Sequence, residues 1–451
     1  MKTASTASNL LIDDMNKTDP QSEKFLQTLL HGNPDQADLA GQLQNIAGHS
    51  GPQAAYNLLQ RAEVVAGLRK PSLAIYDHTL HLIGGGEKYG CTMAEALQDD
   101  FEVTLIAHQP VTLEDLMGWY DLDLSRCRVK IMPLLFFAKA EQGGINPEQV
   151  STRTENPFLV VSRESGNYDF FINNSMLEMV YPLANISLFV CHFPERPKGA
   201  YFYVPHYRHL ICNSRYTAEW IEKKWHISPG QLFYPPVDME PDPGEALAKE
   251  KMILSVARFE NGGSKQQAEM ITAFDHLRQR APKLTAGWKL VLCGGSSSAN
   301  PYLEKIKGML NARPGLPVEL KINIPLRDLK QLYSRSAIFW HFCGLGQSNP
   351  AHVEHFGMST VEAMQNRCLP IVFNGGGQRE IVENGISGFR FDSSRELLDL
   401  TMKVMHDQAL CDQLSRAAQE RSTLFSRSVF ADRVRQFFKP IAAEYANVST
   451  I

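Results

Sequence analysis

No C-x-x-C pair occurs in this sequence. Its eight cysteines stand apart, at 91, 127, 191, 212, 293, 343, 368 and 411. Several sit inside apolar runs such as Phe189-Val190-Cys191 and Val291-Leu292-Cys293. That distribution argues against a disulfide framework or a zinc site and points to buried, reduced thiols of a cytosolic protein. Long hydrophobic runs are missing as well. None approaches the roughly 20 apolar residues of a membrane-spanning helix, and the polar N-terminus carries no signal-peptide core. Any membrane contact is expected to be peripheral. The net charge is only −4, which gives no bulk electrostatic case for nucleic acid or an anionic membrane surface.

What remains is an ordinary globular composition, 43% hydrophobic and 21% charged over 451 residues. At about 150 residues per domain, that length suggests two to three domains. Residues 1–20 are polar and are expected to be disordered. Residues 22–68 have helical periodicity, with Pro52 at a favourable first-turn position; they carry no readable chemistry and are expected to pack against the next domain. Residues 73–76 read as a buried strand, then a loop with Gly84, Gly85 and Gly86, a helix to about residue 97 and a strand at 103–107. These glycines do not form G-x-G-x-x-G, and no acidic residue ends the next strand, so a nicotinamide-dinucleotide site is discounted. Residues 168–174 and 187–194 read as two further strands, and His192 falls at the C-terminal edge of the second, where open α/β sheets bind ligands. The basic, aromatic segment 196–209 reads as a half-buried connector. Residues 210–217 read as strand then helix, with Ser214 or Thr217 as cap. Two prolines at 235–236 and an acidic linker at 239–250 precede a second series, which opens with a strand at 252–259 ending in Arg258. Lys265 follows a glycine loop, and residues 289–296 form a strand with a glycine turn at Gly294.

The densest signal is the stretch 339–391. Glu354 precedes Phe356-Gly357-Met358-Ser359, and Glu362 follows eight positions after Glu354. Ser359 is expected to open a helix carrying Glu362 in its first turn, with Pro370 ending it and 371–373 forming a buried strand. Ser359-x-x-Glu362 taken alone also reads as a capping box. Gly375-Gly376-Gly377 then turns the chain into another helix. Two helix N-termini, each with unpaired N–H groups and about half a positive charge, therefore sit near strand ends, as phosphate sites do.

The order Glu354, Phe356-Gly357, Glu362-Ala363-Met364, Gly376-Gly377-x-x-Glu380-Ile381-Val382 and Gly388-Phe389 resembles the E-x7-E region of retaining glycosyltransferases of family 4. That resemblance implies an α/β chain of the GT-B fold, with two Rossmann-like domains facing across a cleft and an N-terminal helical extension. The expected boundaries are 1–70 for the extension, 71–238 for the acceptor domain and 239–425 for the nucleotide-sugar domain. Residues 426–451 would form a helix crossing back to the first domain. It implies roles too. Arg258, Lys265 and the backbone of Gly357, Met358 and Ser359 would hold the donor diphosphate. Phe356 and Gly294 would lie at the donor. Glu362 would bind ribose hydroxyls, and Glu354 would hold sugar hydroxyls. His192 would contact the sugar or relay a proton. Gly85 and Gly86 would face phosphate or acceptor. The implied activity is metal-independent transfer of a sugar, with retention, to a glycan, lipid-linked or other hydroxyl acceptor in glycan assembly. No metal or other cofactor is expected; Asp121-x-Asp123 is similar to the metal-binding pair of the other glycosyltransferase fold, but the rest of the chain is not. A GT-B-like nucleotide-sugar epimerase and a non-catalytic nucleotide-sugar-binding protein are the alternatives.

Overall fold

A computed structural model describes residues 41–42, 44–48, 51–134, 156–195, 198–199, 201–239, 248–260, 262–297 and 299–447. The expectations for residues 1–40 and for most of the acidic linker, 240–247, lie outside the described residues. Helix α1 (Pro52–Val65) opens on its proline. Side-chain amides and a guanidinium tie it to the rest of the chain. Gln53 donates to the Gly166 carbonyl at 2.9 Å, Asn57 to that of Leu183 at 2.9 Å, and Arg61 to that of Tyr445 at 3.0 Å. The described part of the extension is thus packed on the first α/β unit.

That unit runs β1 (Ser72–Tyr76), α2 (Gly85–Leu97), β2 (Glu102–Ala107), α3 (Leu113–Tyr120), β3 (Arg128–Ile131), α4 (Leu159–Ser165), β4 (Phe170–Asn173), β5 (Ile186–Cys191), β6 (His209–Cys212), α5 (Arg215–Trp225) and β7 (Gln231–Leu232). The strands form a seven-stranded sheet in the order β3-β2-β1-β4-β5-β6-β7, and every pairing is parallel. Strands β4 and β5 are buried at every position, because helices cover both faces of a parallel sheet.

The second unit runs β8 (Glu250–Val256), α6 (Gln267–Arg280), β9 (Lys289–Gly294), α7 (Pro301–Asn311), β10 (Val318–Ile322), α8 (Leu326–Arg335), β11 (Ser336–His341), α9 (Met358–Gln365), β12 (Leu369–Phe373), α10 (Gln378–Ile381), β13 (Phe389–Phe391), α11 (Ser394–His406) and α12 (Gln408–Ser422). Its six strands lie in the order β10-β9-β8-β11-β12-β13, again all parallel. Strand order reverses between β1 and β4 in one sheet and between β8 and β11 in the other. Ligands of such sheets bind beyond the strand C-termini at those reversals.

Three local expectations are corrected. Helix α9 starts at Met358, not Ser359, with Gly357 as its cap at φ 117° and no side-chain cap, so Ser359 and Glu362 form no capping box. Glu362 is the fifth residue of α9 and lies beyond its first turn. Pro370 does not stop the helix; α9 ends at Gln365, and Pro370 sits inside β12 opposite Phe339.

The chain leaves the first unit at Val237 and comes back at Ser426, and the two passages lie side by side. Val237 donates to the Phe425 carbonyl at 3.0 Å and accepts from the Arg427 amide at 3.2 Å. The final helix, α13 (Arg427–Tyr445), then lies on the first unit. Phe430, Val434 and Phe438 recur every four residues on its buried face, and Phe438 packs edge-on against Phe101. Arg427 bonds Glu95 at 2.9 Å and Asp238 at 3.1 Å. At the cleft, the Glu380 carboxylate of the second unit accepts from the Arg215 and Tyr216 amides, both at 2.9 Å. With the Ser214 hydroxyl on Thr217 N, it completes the N-cap of α5.

Two outcomes follow from this packing. Phe438→Ala removes a buried ring from the first unit's core and should destabilise the protein by about 3–5 kcal/mol in urea unfolding. Glu380→Ala should remove about 1 kcal/mol of helix capping from the domain contact, seen as a larger radius of gyration in X-ray scattering at unchanged secondary structure.

Candidate functional site

On the second unit, the loop after β11 carries Glu354 back to the end of that strand. Its carboxylate accepts from Lys265 Nζ at 2.9 Å and lies 3.2 Å from His341 Nε2. Burial alone would raise the Glu354 pKa, but the Lys265 charge and the His341 hydrogen bond outweigh it and hold the carboxyl well below 4.5. Lys265 is held up in turn, since the Glu354 charge more than offsets its own burial. Lys265 lies after the β8 loop and reaches across the strand reversal, so this ion pair spans the place where the topology puts a ligand. Arg258 is separate from it and lies two residues beyond β8, which ends at Val256 rather than carrying the arginine as expected. Its side chain is 68% exposed and meets Glu260 at 3.3 Å, an exposure that lets the guanidinium turn toward an anion.

Glycines bring backbone close to the same place. A Cβ at Gly294 would lie 1.9 Å from the Ala257 carbonyl oxygen, and one at Gly377 would meet the Phe356 Cα at 2.4 Å. Gly294, expected at the donor, is therefore a residue of close strand-to-loop packing directly beneath Arg258. Gly357 lies over the buried Gln378 amide, where a Cβ would come within 2.5 Å of Nε2. Helix α9 then presents the amides of Met358 and Ser359 without a side-chain cap. Phe356 is buried and stacks on Tyr234 of the segment that follows β7. Glu362 receives a hydrogen bond from Tyr333 Oη at 2.6 Å. Tyr333 was not singled out by the sequence, where it reads as one more core aromatic of α8.

On the first unit, His192 follows β5, and its Nε2 lies 3.2 Å from Asn174 Oδ1. Asn174 follows β4 and donates to Asp77 Oδ2 at 2.7 Å and to the Gly86 carbonyl at 2.9 Å. Asp77 follows β1, so three strand ends and the glycine loop converge. Burial, with the nearby Glu87 charge, pushes the Asp77 pKa up to about 7. Burial, with His355 facing it, pushes His192 down to about 4; the ring is neutral at ordinary pH. Asp77, Asn174 and Lys88 escaped the sequence reading because they belong to strand ends and a helix turn brought together only by the sheet order.

The two halves touch. A Cβ at Gly85 would meet Met358 Sδ at 2.9 Å, and one at Gly86 would meet His192 Nε2 at 3.6 Å. Phe193 stacks flat on His355, with centroids 3.9 Å apart, and Tyr216 donates to the Pro350 carbonyl at 3.1 Å. Lys88 of α2 lies within the field of Glu362. The structure thus gathers Gly85, Gly86 and His192 with Glu354, Met358 and Glu362 along one cleft. Among the described residues no group of three or more acids, histidines or cysteines is placed to hold a metal. Asp121 ends α3 in a left-handed conformation, and Asp123 accepts from the Ser125 amide at 2.9 Å.

A carboxylate whose folded pKa is depressed stabilises the fold above its unfolded pKa and loses that contribution as pH falls through the folded value. The stability difference between wild type and Glu354→Gln should therefore shrink as pH falls below about 4.5 toward the depressed folded value. Lys265→Met, which strips a largely buried carboxylate of its cationic partner and leaves it the His341 contact, should cost about 3 kcal/mol at neutral pH, read by chemical denaturation.

Among the described residues no helix is long and apolar enough to cross a membrane. Residues 239–421 match the protein family described as Glycosyl transferases group 1. The chain is 29% identical over 197 residues to the GDP-Man:Man(3)GlcNAc(2)-PP-Dol alpha-1,2-mannosyltransferase of Xenopus laevis, covering 41% of this chain and 38% of that protein. The human protein of that name is 26% identical over 250 residues, covering 51% of this chain and 49% of its own length. The chain thus spans half or less of these curated relatives. In three dimensions it is similar to Anabaena Alr3699/HepE in complex with UDP, with a TM-score of 0.63, 16% identity, and 82% of this chain and 100% of that chain covered. The fold is the two-domain α/β arrangement expected from the sequence, and the match to Glycosyl transferases group 1 falls on its second unit.

Proposed function

We propose that the chain is a retaining, metal-independent glycosyltransferase that moves a sugar from a nucleotide-diphosphate sugar to a hydroxyl acceptor. The observation that carries this reading is the joining, within a Glycosyl transferases group 1 match over 239–421, of the Lys265–Glu354 pair, the exposed Arg258 and the uncapped start of α9 at one strand reversal. The names of the Xenopus laevis and human relatives favour GDP-mannose as donor and a lipid-linked glycan as acceptor. The HepE complex, named with UDP, keeps a uridine nucleotide as the second donor class. Cytoplasmic work beside a membrane surface that presents such an acceptor fits this reading.

In the proposed reaction the bond from the anomeric carbon to the diphosphate oxygen breaks, and a bond to the acceptor oxygen forms on the same face. The acceptor proton passes to the departing phosphate oxygen. Negative charge grows on the diphosphate and positive charge on the ring. Arg258 swings onto the diphosphate, and Lys265 exchanges part of its pairing with Glu354 for a phosphate oxygen. The Gly357-Met358-Ser359 amides donate to the same group. Such preorganised donors act where charge develops and are worth about 100- to 1000-fold each in turnover. Glu362, steadied by Tyr333, accepts from ribose hydroxyls, and Glu354 holds sugar hydroxyls while its charge supports the ring cation. Gly85 and Gly86 leave room for the acceptor or phosphate beside His192.

The test is a binding and turnover screen with GDP-mannose, UDP-glucose and other nucleotide sugars. Arg258→Ala should keep the wild-type unfolding profile and lose about 100-fold or more in transfer. Near-normal transfer by folded Arg258→Ala protein, or no binding of any nucleotide sugar, would overturn the reading.

A further inference from the structure

His192 has two ring nitrogens, and which of them carries the proton decides whether it offers a ligand a donor or an acceptor. Orientation of the neighbouring amide settles the matter. The Asn174 Nδ2 group lies 2.9 Å from the Gly86 carbonyl, which can only accept, and 2.7 Å from Asp77 Oδ2. Turning the amide over would set its oxygen against that carbonyl. Asn174 Oδ1 must then face His192 Nε2, 3.2 Å away, and an amide oxygen needs a donor opposite it. Nε2 therefore carries the hydrogen. In a neutral ring Nδ1 is then left as the acceptor.

The surroundings hold this arrangement in place. Asn174 is 2% exposed and Asp77 3%, and the Asn174 amide nitrogen of the backbone donates to the Tyr76 carbonyl at 2.9 Å. A Cβ at Gly90 would crowd Asn174 Nδ2 to 2.9 Å, so glycine there lets the amide lie against α2. Tyr89 stands edge-on to the His192 ring at 5.2 Å and limits its rotation. Across the cleft lies His355, the neighbour of Glu354, near enough to disfavour a charge on the ring.

We propose that Asn174 is a positioning residue that fixes His192 in its Nε2–H form, so that Nδ1 accepts the hydrogen of a hydroxyl on the sugar held at Glu354. The sugar contact rests on the glycosyl-transfer reading; the tautomer does not. His192 in this form neither donates from Nδ1 nor bears charge, and so serves recognition of a hydroxyl rather than of a phosphate.

The experiment is nitrogen NMR of the whole protein labelled at histidine, with His192→Gln to assign the signal. The expected result is a protonated Nε2 and an unprotonated Nδ1 at neutral pH. A protonated Nδ1, or fast averaging of both forms, overturns the proposal without any variant having to fold. In Asn174→Ala the two forms should average, and kcat/KM with the accepted donor should fall about tenfold; an unchanged His192 pattern in that variant also overturns it. Titration with GDP-mannose and with UDP-glucose should move the Nδ1 resonance for the one that binds. Binding that leaves Nδ1 unmoved refutes the sugar contact. Binding of neither counts against the proposed function and its sugar contact, while the tautomer still decides the role of Asn174.

Discussion

Parallel pairing is the constraint on which this molecule is built. Two parallel strands cannot be joined by a tight turn; each return needs a crossover, and here helices supply most of them. All strand C-termini and most helix N-termini of a unit therefore share one edge. Those edges carry backbone N–H groups without partners and a positive end of the helix dipole. Two such units, placed edge to edge, make a cleft whose walls already favour anions before any side chain is considered. The seven- and six-stranded sheets are built this way throughout.

The cleft side chains answer that field in two different ways. Around Glu354 the solution is ionic: a buried carboxylate is tolerable because Lys265 and His341 face it. Around His192 the solution is neutral: Asn174 links Asp77, a backbone carbonyl and an imidazole without a formal charge on the ring. One wall thus carries its charge as an ion pair, and the other carries a neutral hydrogen-bond chain. A third carboxylate, Glu380, closes the two units by capping α5 from across the cleft. The Gly-Gly-x-x-Glu order that marks the family resemblance thereby has a mechanical use at its glutamate.

The hinge is equally physical. The passages at 237 and 426 run side by side and share backbone hydrogen bonds. The last helix returns to the first unit through an apolar face at four-residue spacing. Its N-terminal arginine is fixed by Glu95 and Asp238. A cleft between two bodies can keep its geometry only if the connections between them are short and fastened, and these are.

The sequence by itself determined many of the elements and named the candidate residues of the second unit. Apolar runs bounded by glycine and proline marked the strands, and Arg258 with Lys265, and Glu354 with Glu362, were legible as two pairs, each beside a recognisable turn. Local physics misplaced some boundaries: Gly357 at φ 117° starts α9 one residue early, and Pro370 is accepted within β12. What only tertiary structure decided was which distant side chains meet. Lys265 and Glu354 are 89 positions apart and Asp77 and Asn174 are 97 apart; Tyr333 meets Glu362 from a different helix. No local periodicity encodes such pairings, because they arise from strand order, which long-range packing selects after the strands themselves are fixed.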